Sequence, residues 1–295
     1  MPRPERIVRG PLKKASFGRR VRRRLGRMWT EYTLSRRKVR YRRNLRGPVD
    51  KVTAFIFGCQ RSGTNMMLAA FDRSLDVDKF AESDPRAFRY SRILGEEVQK
   101  RLIAKSNAKC VLFKPICDSH RAIELLALHP RSKGVWIYRH YHDVANSAVE
   151  YWGRQTQTWI EDLLDGGGDW GVSQWNREKV TEDCLAEVRK ACSDGLSQHD
   201  AAALLWYMRN RTFFEQGLER NRDIILTRYE EFVTDPEREF ERLCKFLQLR
   251  FDPGMVRKVF TGSIRKRPCP PLGERVDRLC QSMLERLDAV RRQGN

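Results

Sequence analysis

The chain reads as an α/β protein: a mainly parallel sheet flanked by helices on both faces, a three-layer sandwich, preceded by a basic helical arm. Three observations predict it. Short apolar runs such as residues 51–57 (KVTAFIF) and 135–138 (VWIY) are too continuous for a strand with one wet face, so they read as strands buried on both sides. Stretches with apolar residues every three or four positions lie between such runs, and strands alternating with helices imply parallel crossovers. The charge is lopsided: of 58 Lys+Arg, 18 fall in residues 1–50 against three acids there.

At 295 residues the chain suits one large domain with an appended segment. Residues 1–48 form the arm. Between Phe17 and Tyr32 the apolar residues Phe17, Val21, Leu25, Met28 and Tyr32 recur at helical spacing with Arg on most of the intervening positions. That is an apolar stripe in a cationic coat, suited to an anionic membrane surface. A helix packed on its own domain, a solvated arm and an Arg-rich presequence are the other readings of such a start. Gly47-Pro48 marks the boundary to the domain at residues 49–295.

The domain opens with the strand at 51–57, a glycine-bearing turn at 58–63 and an apolar helix through Phe71, followed by a short second strand. Further strands are read at 110–113, 135–138 and 224–227, with helices around 121–128, 143–152 and 200–214. Residues 153–198 are less regular, carry Trp159, Trp170 and Trp175 just after Trp152, and read as an insertion on the acceptor side of the sheet edge. Thr234-Asp235-Pro236-Glu237 supplies an N-cap and an early proline for a helix with Phe240, Leu243, Cys244 and Leu247 on one face. A final helix shows Val276, Leu279, Cys280, Met283, Leu287 and Val290, and both stripes are assigned to core packing.

Composition narrows the classes further. Hydrophobic residues at 40% and charged residues at 33% exclude a disordered chain and a membrane bundle. No apolar run has the length of a transmembrane helix, and the N-terminus lacks the apolar region of a secretory signal, so a soluble or peripheral protein is expected. Eight cysteines without a C-x-x-C pair predict buried thiols in a reducing compartment and no metal site.

The turn Gly58-Cys59-Gln60-Arg61-Ser62-Gly63-Thr64-Asn65 has the G-x-x-x-x-G frame of a phosphate-cradling loop, which makes the domain P-loop-type. Backbone N–H groups from such a loop add to the positive end of the helix dipole and make an anion site. Thr64 stands where P-loop NTPases carry lysine, and Asn65 where they carry the magnesium-binding hydroxyl. The loop is thus poorly equipped for Mg-ATP, but it can hold an anion beside Arg61. A second constellation follows the strand at 135–138: Arg139 at its end, and Ser147 eight residues on in a helix. An Arg with a Ser can grip a phosphate through charge-assisted hydrogen bonds.

With Arg61-Ser62-Gly63-Thr64 followed by Arg139 and Ser147, the sequence resembles the sulfotransferases that use 3′-phosphoadenosine 5′-phosphosulfate (PAPS), of the bacterial type and with similarity to the protein-tyrosine sulfotransferases. The resemblance spans about residues 51–250 and includes Thr227-Arg228-Tyr229-Glu230 and Asp235-Pro236. It implies that Arg61, Ser62, Gly63, Thr64 and Asn65 bind the donor's 5′-phosphosulfate, that Arg139 and Ser147 bind its 3′-phosphate, and that Tyr229 faces it. Arg265-Lys266-Arg267 lies where family members bring a late basic loop over the donor.

Sulfuryl transfer needs an oriented acceptor, a base for its proton and positive charge on the transferred oxygens. Glu82, twenty-one residues after Arg61, matches the offset of the catalytic glutamate in protein-tyrosine sulfotransferases. His120 competes for the role: it follows Lys114 after a strand, as in the Lys-Thr-His segment of cytosolic sulfotransferases, but there the His comes two residues after the Lys, where this chain has Ile116. Lys114 adds charge near the sulfuryl group. The tryptophans and the basic arm suggest a glycan or glycolipid acceptor, and the expected setting is cytoplasmic, peripheral at the inner membrane face; nucleic acid is not expected as a partner. A P-loop small-molecule kinase and a non-enzymatic polyanion- or membrane-binding protein are the alternatives.

Overall fold

Strand β1 (Val52–Gly58) is buried along its whole length because the sheet continues on both sides of it and helices cover both faces. With β2 (Val77–Phe80), β5 (Cys110–Phe113), β6 (Ser132–Tyr138) and β7 (Ile224–Arg228) it forms a five-stranded parallel sheet in the order β2-β5-β1-β6-β7. β3 (Phe88–Arg89) and β4 (Arg92–Ile93) make a separate small hairpin that the sequence did not announce. The computed structural model describes residues 17–43, 50–166, 178–193 and 195–294.

Successive side chains of a strand point to opposite faces, and the two faces of β1 carry different cores. Phe55 and Phe57 join Trp136 and Tyr138 on one face, while Ala54 and Ile56 join Val135 and Ile137 on the other. The helices divide accordingly. In chain order they are α1 (Phe17–Arg43), α2 (Thr64–Phe71), α3 (Glu96–Lys105), α4 (Ala122–Ala127), α5 (Tyr141–Trp152), α6 (Gln155–Leu164), α7 (Glu182–Ala191), α8 (Gln198–Glu215), α9 (Tyr229–Thr234), α10 (Pro236–Phe246) and α11 (Glu274–Arg292). Residues of α2, α9 and α10 pack on the Ala54 face; those of α5, α8 and α11 pack on the Phe55 face. This is the expected three-layer sandwich.

Helix α8 is buried nearly all round, which is why it has no one-sided stripe. Its start is fixed by a capping box in which the Ser197 hydroxyl accepts from the Asp200 N–H and the Asp200 carboxylate accepts from the Ser197 N–H. The apolar faces of α10 and α11 are core packing, as expected. The described parts of 153–198 are the helices α6 and α7, with Trp159, Ile160, Leu163, Leu185 and Val188 in the main core. Trp159 is buried against Trp152 at 5.5 Å; Trp170 and Trp175 lie outside the described residues. Six of the eight cysteines are buried, and burial pushes the thiols of Cys59, Cys184 and Cys244 up to about 12, so they act as inert apolar packing.

Residues 17–43 of the arm form a helix, and its last turns dock at the amino end of β2. Lys38 Nζ donates to Asp72 Oδ1 at 2.8 Å and to the Val77 carbonyl at 2.7 Å. Arg42 donates to the Leu75 carbonyl at 2.9 Å and pairs with Asp78 at 2.6 Å. Among the described residues no helix is long and apolar enough to cross a membrane.

Candidate active site

The parallel register brings the carboxyl ends of β2, β5, β1, β6 and β7 to one edge, where ligands of open α/β sheets bind. The loop after β1 can turn there because of two glycines. Gly58 has φ +130°, and a Cβ on it would lie 2.2 Å from the Ile137 carbonyl oxygen. Gly63, at φ +92°, caps α2, and a Cβ there would lie 2.2 Å from the Tyr229 ring. Arg61 itself is held at φ +69°, a left-handed conformation costly for a residue with a side chain and typical of functional loops. Gly63→Ala meets both a conformational and a steric barrier. It is expected to cost about 2–4 kcal/mol of stability, read as a fall in Tm, and to weaken anion binding at the loop.

Arg61 leans across to α5. Its Nε donates to Ser147 Oγ at 3.0 Å and its guanidinium lies 4.6 Å from the centre of the Tyr151 ring. Ser147 therefore serves the first constellation as well as the second, an arrangement that the Arg139–Ser147 spacing did not anticipate. Arg139, 6% exposed, reaches the same place from the end of β6. Its Nη1 donates to the Arg61 carbonyl at 3.4 Å, its Nη2 donates to the Ser263 carbonyl and pairs with Asp143 Oδ2 at 3.0 Å, and its face stacks on Tyr229 at 4.6 Å. The Tyr229 hydroxyl bonds the Ser263 hydroxyl.

The two constellations line one cavity of about 320 Å³. Arg61, Gly63, Thr64 and Asn65 form one wall, Arg139, Asn146 and Ser147 another, and Ser263, Lys266 and Arg267 cover it. The late basic loop thus borders the same cavity. It is tied to α5 at three points: the Arg265 N–H donates to Asp143 Oδ2 at 3.1 Å, Asn146 donates to the Pro268 carbonyl at 3.0 Å, and Arg267 pairs with Glu150 at 2.9 Å. Arg265 contributes its backbone amide to that tie, while Lys266 and Arg267 supply cations to the cavity. Asp143, Glu150 and Ser263 are site residues that the motifs missed. Asp143 stands four residues after Arg139 at helical ion-pair spacing and was legible; Ser263 sits in a loop without a pattern.

One polar atom of the cavity lining, the buried Arg139 Nε, has no hydrogen-bond partner, and neither has the Ser62 hydroxyl, which is buried within the loop. Buried polar groups are rarely left so, and both belong to the pair of anion-binding constellations. A molecule with acidic groups at two ends, one against Arg61 and the loop and one against Arg139, would give Arg139 Nε its partner; the residues present fit PAPS in this respect.

Glu82 and Lys114 stand apart from that lining. Glu82 follows β2 and Lys114 follows β5, and the two make a direct ion pair, with Lys114 buried and the Glu82 side chain partly exposed. Cys117 Sγ lies 3.6 Å from the free Glu82 oxygen, and Gln60 of the loop donates to that sulfur at 3.8 Å. The carboxylate is therefore coupled through Cys117 and Gln60 to the loop that carries Arg61.

His120 is fully buried behind this edge and does not line the cavity. Its Nε2 lies 2.9 Å from Glu178 Oε2, so Nε2 carries the proton of the neutral ring. Burial, helped by the Arg209 guanidinium, pushes its pKa down to about 4. The unfolded chain takes up this proton near pH 6.5 and the folded chain only near pH 4. The stability from a neutral His120 is therefore complete above pH 6.5 and lost as pH falls towards 4, on the order of 3 kcal/mol in all. The Tm of His120→Asn is expected to fall less steeply over that interval than that of the parent protein. Among the described residues no three His, Cys, Asp or Glu side chains gather as a metal site.

With this geometry in place, comparison with known proteins is direct. The family model described as "Sulfotransferase domain" matches residues 51–266, which include every residue placed above from β1 to the late loop as far as Lys266. No curated protein matches the chain. Solved structures similar to it include the sulfotransferase domain from the curacin biosynthetic pathway, 14% identical over 79% of this chain and 98% of that one, with a TM-score of 0.49. A sulfotransferase from Alicyclobacillus acidocaldarius is 15% identical over 84% of this chain and 97% of that one, with a TM-score of 0.48. Mouse sulfotransferase SULT7A1 complexed with PAP is 11% identical over 72% of this chain and 64% of that one, with a TM-score of 0.37. The family model spans most of the chain and both anion-binding constellations, and the chain belongs to the sulfotransferase family.

Proposed function

We propose that the protein transfers a sulfuryl group from PAPS to an acceptor hydroxyl or amine, with Glu82 as the general base and no metal. One observation carries this reading: Arg61 and Arg139, from the ends of adjacent strands, line a single cavity and bracket it with Ser147 and the amino end of α2. When bound, the donor supplies the activated sulfuryl group. Arg61 and the loop amides neutralise charge on the phosphosulfate end, and Arg139 selects the 3′-phosphate that distinguishes PAPS from ordinary nucleotides. Glu82 would take the acceptor's proton as the acceptor oxygen or nitrogen bonds to sulfur and the bond from sulfur to the donor's 5′-phosphate oxygen breaks, releasing adenosine 3′,5′-bisphosphate, and Lys114 holds the carboxylate in place.

The acceptor we favour is a glycan or glycolipid. Tyr151, exposed beside Arg61 and packed edge-on to Trp152 at 5.6 Å, supports it by offering an aromatic face of the kind that sugars stack on. The test is incubation with labelled donor and fractionated cell extracts. Label is expected to move into a glycan or glycolipid fraction. Label moving solely into protein or small phenols would overturn the acceptor, and no transfer to any fraction would overturn the activity.

A further inference from the structure

The helix α1 carries eleven Arg and one Lys against a single Glu, and its last turns anchor it to the domain. The residues that anchor it, Lys38 and Arg42, are cations, and they bind the Asp72, Asp78 and carbonyl groups at the start of β2. The described apolar residues on the other side of the helix are largely uncovered. Leu25 is 59% exposed, Trp29 69% and Tyr32 54%, and Val39 continues the same side at 49%. At 100° per residue Leu25, Tyr32 and Val39 share one side of the helix with Trp29 next to them, while Lys38 lies roughly a quarter-turn or more from each of them and Arg42 about 60° from Val39, towards the docked side.

A monomeric protein seldom leaves an aromatic and aliphatic stripe of this length uncovered, and when it does the stripe marks an interaction surface. We infer that α1 is a lipid-docking element: it lies on an anionic phospholipid surface, with Leu25, Trp29 and Tyr32 in the headgroup boundary and the flanking arginines on lipid phosphates. Charge complementarity selects an anionic partner, and the stripe selects a surface with an apolar interior. A nucleic acid would engage the arginines and leave the leucine and valine positions with nothing to bury. The anchor to β2 lies at the amino ends of the strands, whereas the cavity opens at their carboxyl ends, so docking leaves the cavity free. The element is independent of the sulfuryl-transfer reading.

The test uses the full chain in sedimentation with vesicles of phosphatidylglycerol and phosphatidylcholine, with phosphatidylcholine alone and with an RNA competitor. Binding is expected to the mixed vesicles and not to the neutral ones, and to weaken as salt is raised. The double variant Leu25→Glu with Trp29→Glu is expected to lose about tenfold or more in vesicle affinity. Its Tm should stay unchanged, which shows that the domain is folded. No binding to the mixed vesicles, equal binding to neutral ones, or binding that the double variant retains and RNA abolishes would each overturn the inference; the last would make α1 a nucleic-acid arm.

Discussion

Arg139→Ala is expected to weaken the binding of adenosine 3′,5′-bisphosphate by about 2–5 kcal/mol, roughly thirtyfold to several thousandfold in Kd measured by calorimetry. The size of the effect follows from burial. Arg139 is stacked on Tyr229 and enclosed by Asp143 and the Ser263 carbonyl, so its charge acts in a site from which water is largely excluded. Truncation also leaves Asp143 buried without its guanidinium, retaining the Arg265 N–H, and a lost partner of that kind costs about 3–5 kcal/mol of stability. Arg139→Lys separates the two consequences. It keeps a cation near Asp143 and should preserve most of the Tm, but it lacks the planar fork that reaches the Arg61 and Ser263 carbonyls together. Binding by the lysine variant should fall by about tenfold or more. Unchanged affinity in a folded Arg139 variant would remove Arg139 from the donor site.

How this pocket could be read from the chain, and where it could not, comes down to the range of the interactions. The glycine at position 63 is legible as part of a motif, but the reason no other residue serves is the ring of Tyr229, which stands against it only in the folded chain. The mainly parallel sheet was legible because double-sided burial leaves unbroken apolar strands, whereas the order of its strands is set by long-range pairing that no local pattern carries. The Ser197-x-x-Asp200 capping box is a local signal and would have set the start of α8 two residues earlier than the stripe alone suggested. Residues 153–198 read as irregular because α6 and α7 are short and polar on their outer faces, while their inner faces belong to the main core. Arg61 and Ser147 are eighty-six positions apart, and nothing local announces their hydrogen bond. The same holds for Ser263, whose carbonyl and hydroxyl join Arg139 and Tyr229 from a loop without periodicity.

Glu82→Gln is expected to lower kcat by about 10²- to 10⁴-fold while leaving affinity for adenosine 3′,5′-bisphosphate unchanged. The amide keeps the shape of the carboxylate but cannot accept a proton at neutral pH, and Glu82 lies outside the cavity that holds the donor-binding residues. The substitution also turns the ion pair with buried Lys114 into a single hydrogen bond, so some loss of Tm accompanies it. Glu82→Asp restores the charge one methylene short of its position. A partial recovery of kcat with a restored Tm would tie the rate to the basic oxygen and its distance, not to the integrity of the fold. His120→Asn is the contrasting variant. His120 is sealed away from the cavity and already committed to Glu178, so its replacement should leave kcat above pH 7 within about threefold while altering the acid limb of stability. If instead Glu82→Gln turns over normally and His120→Asn does not, the proton leaves by the histidine. The buried Glu178–His120 pair would then have to open during the reaction, a rearrangement that a change in the pH dependence of kcat would register.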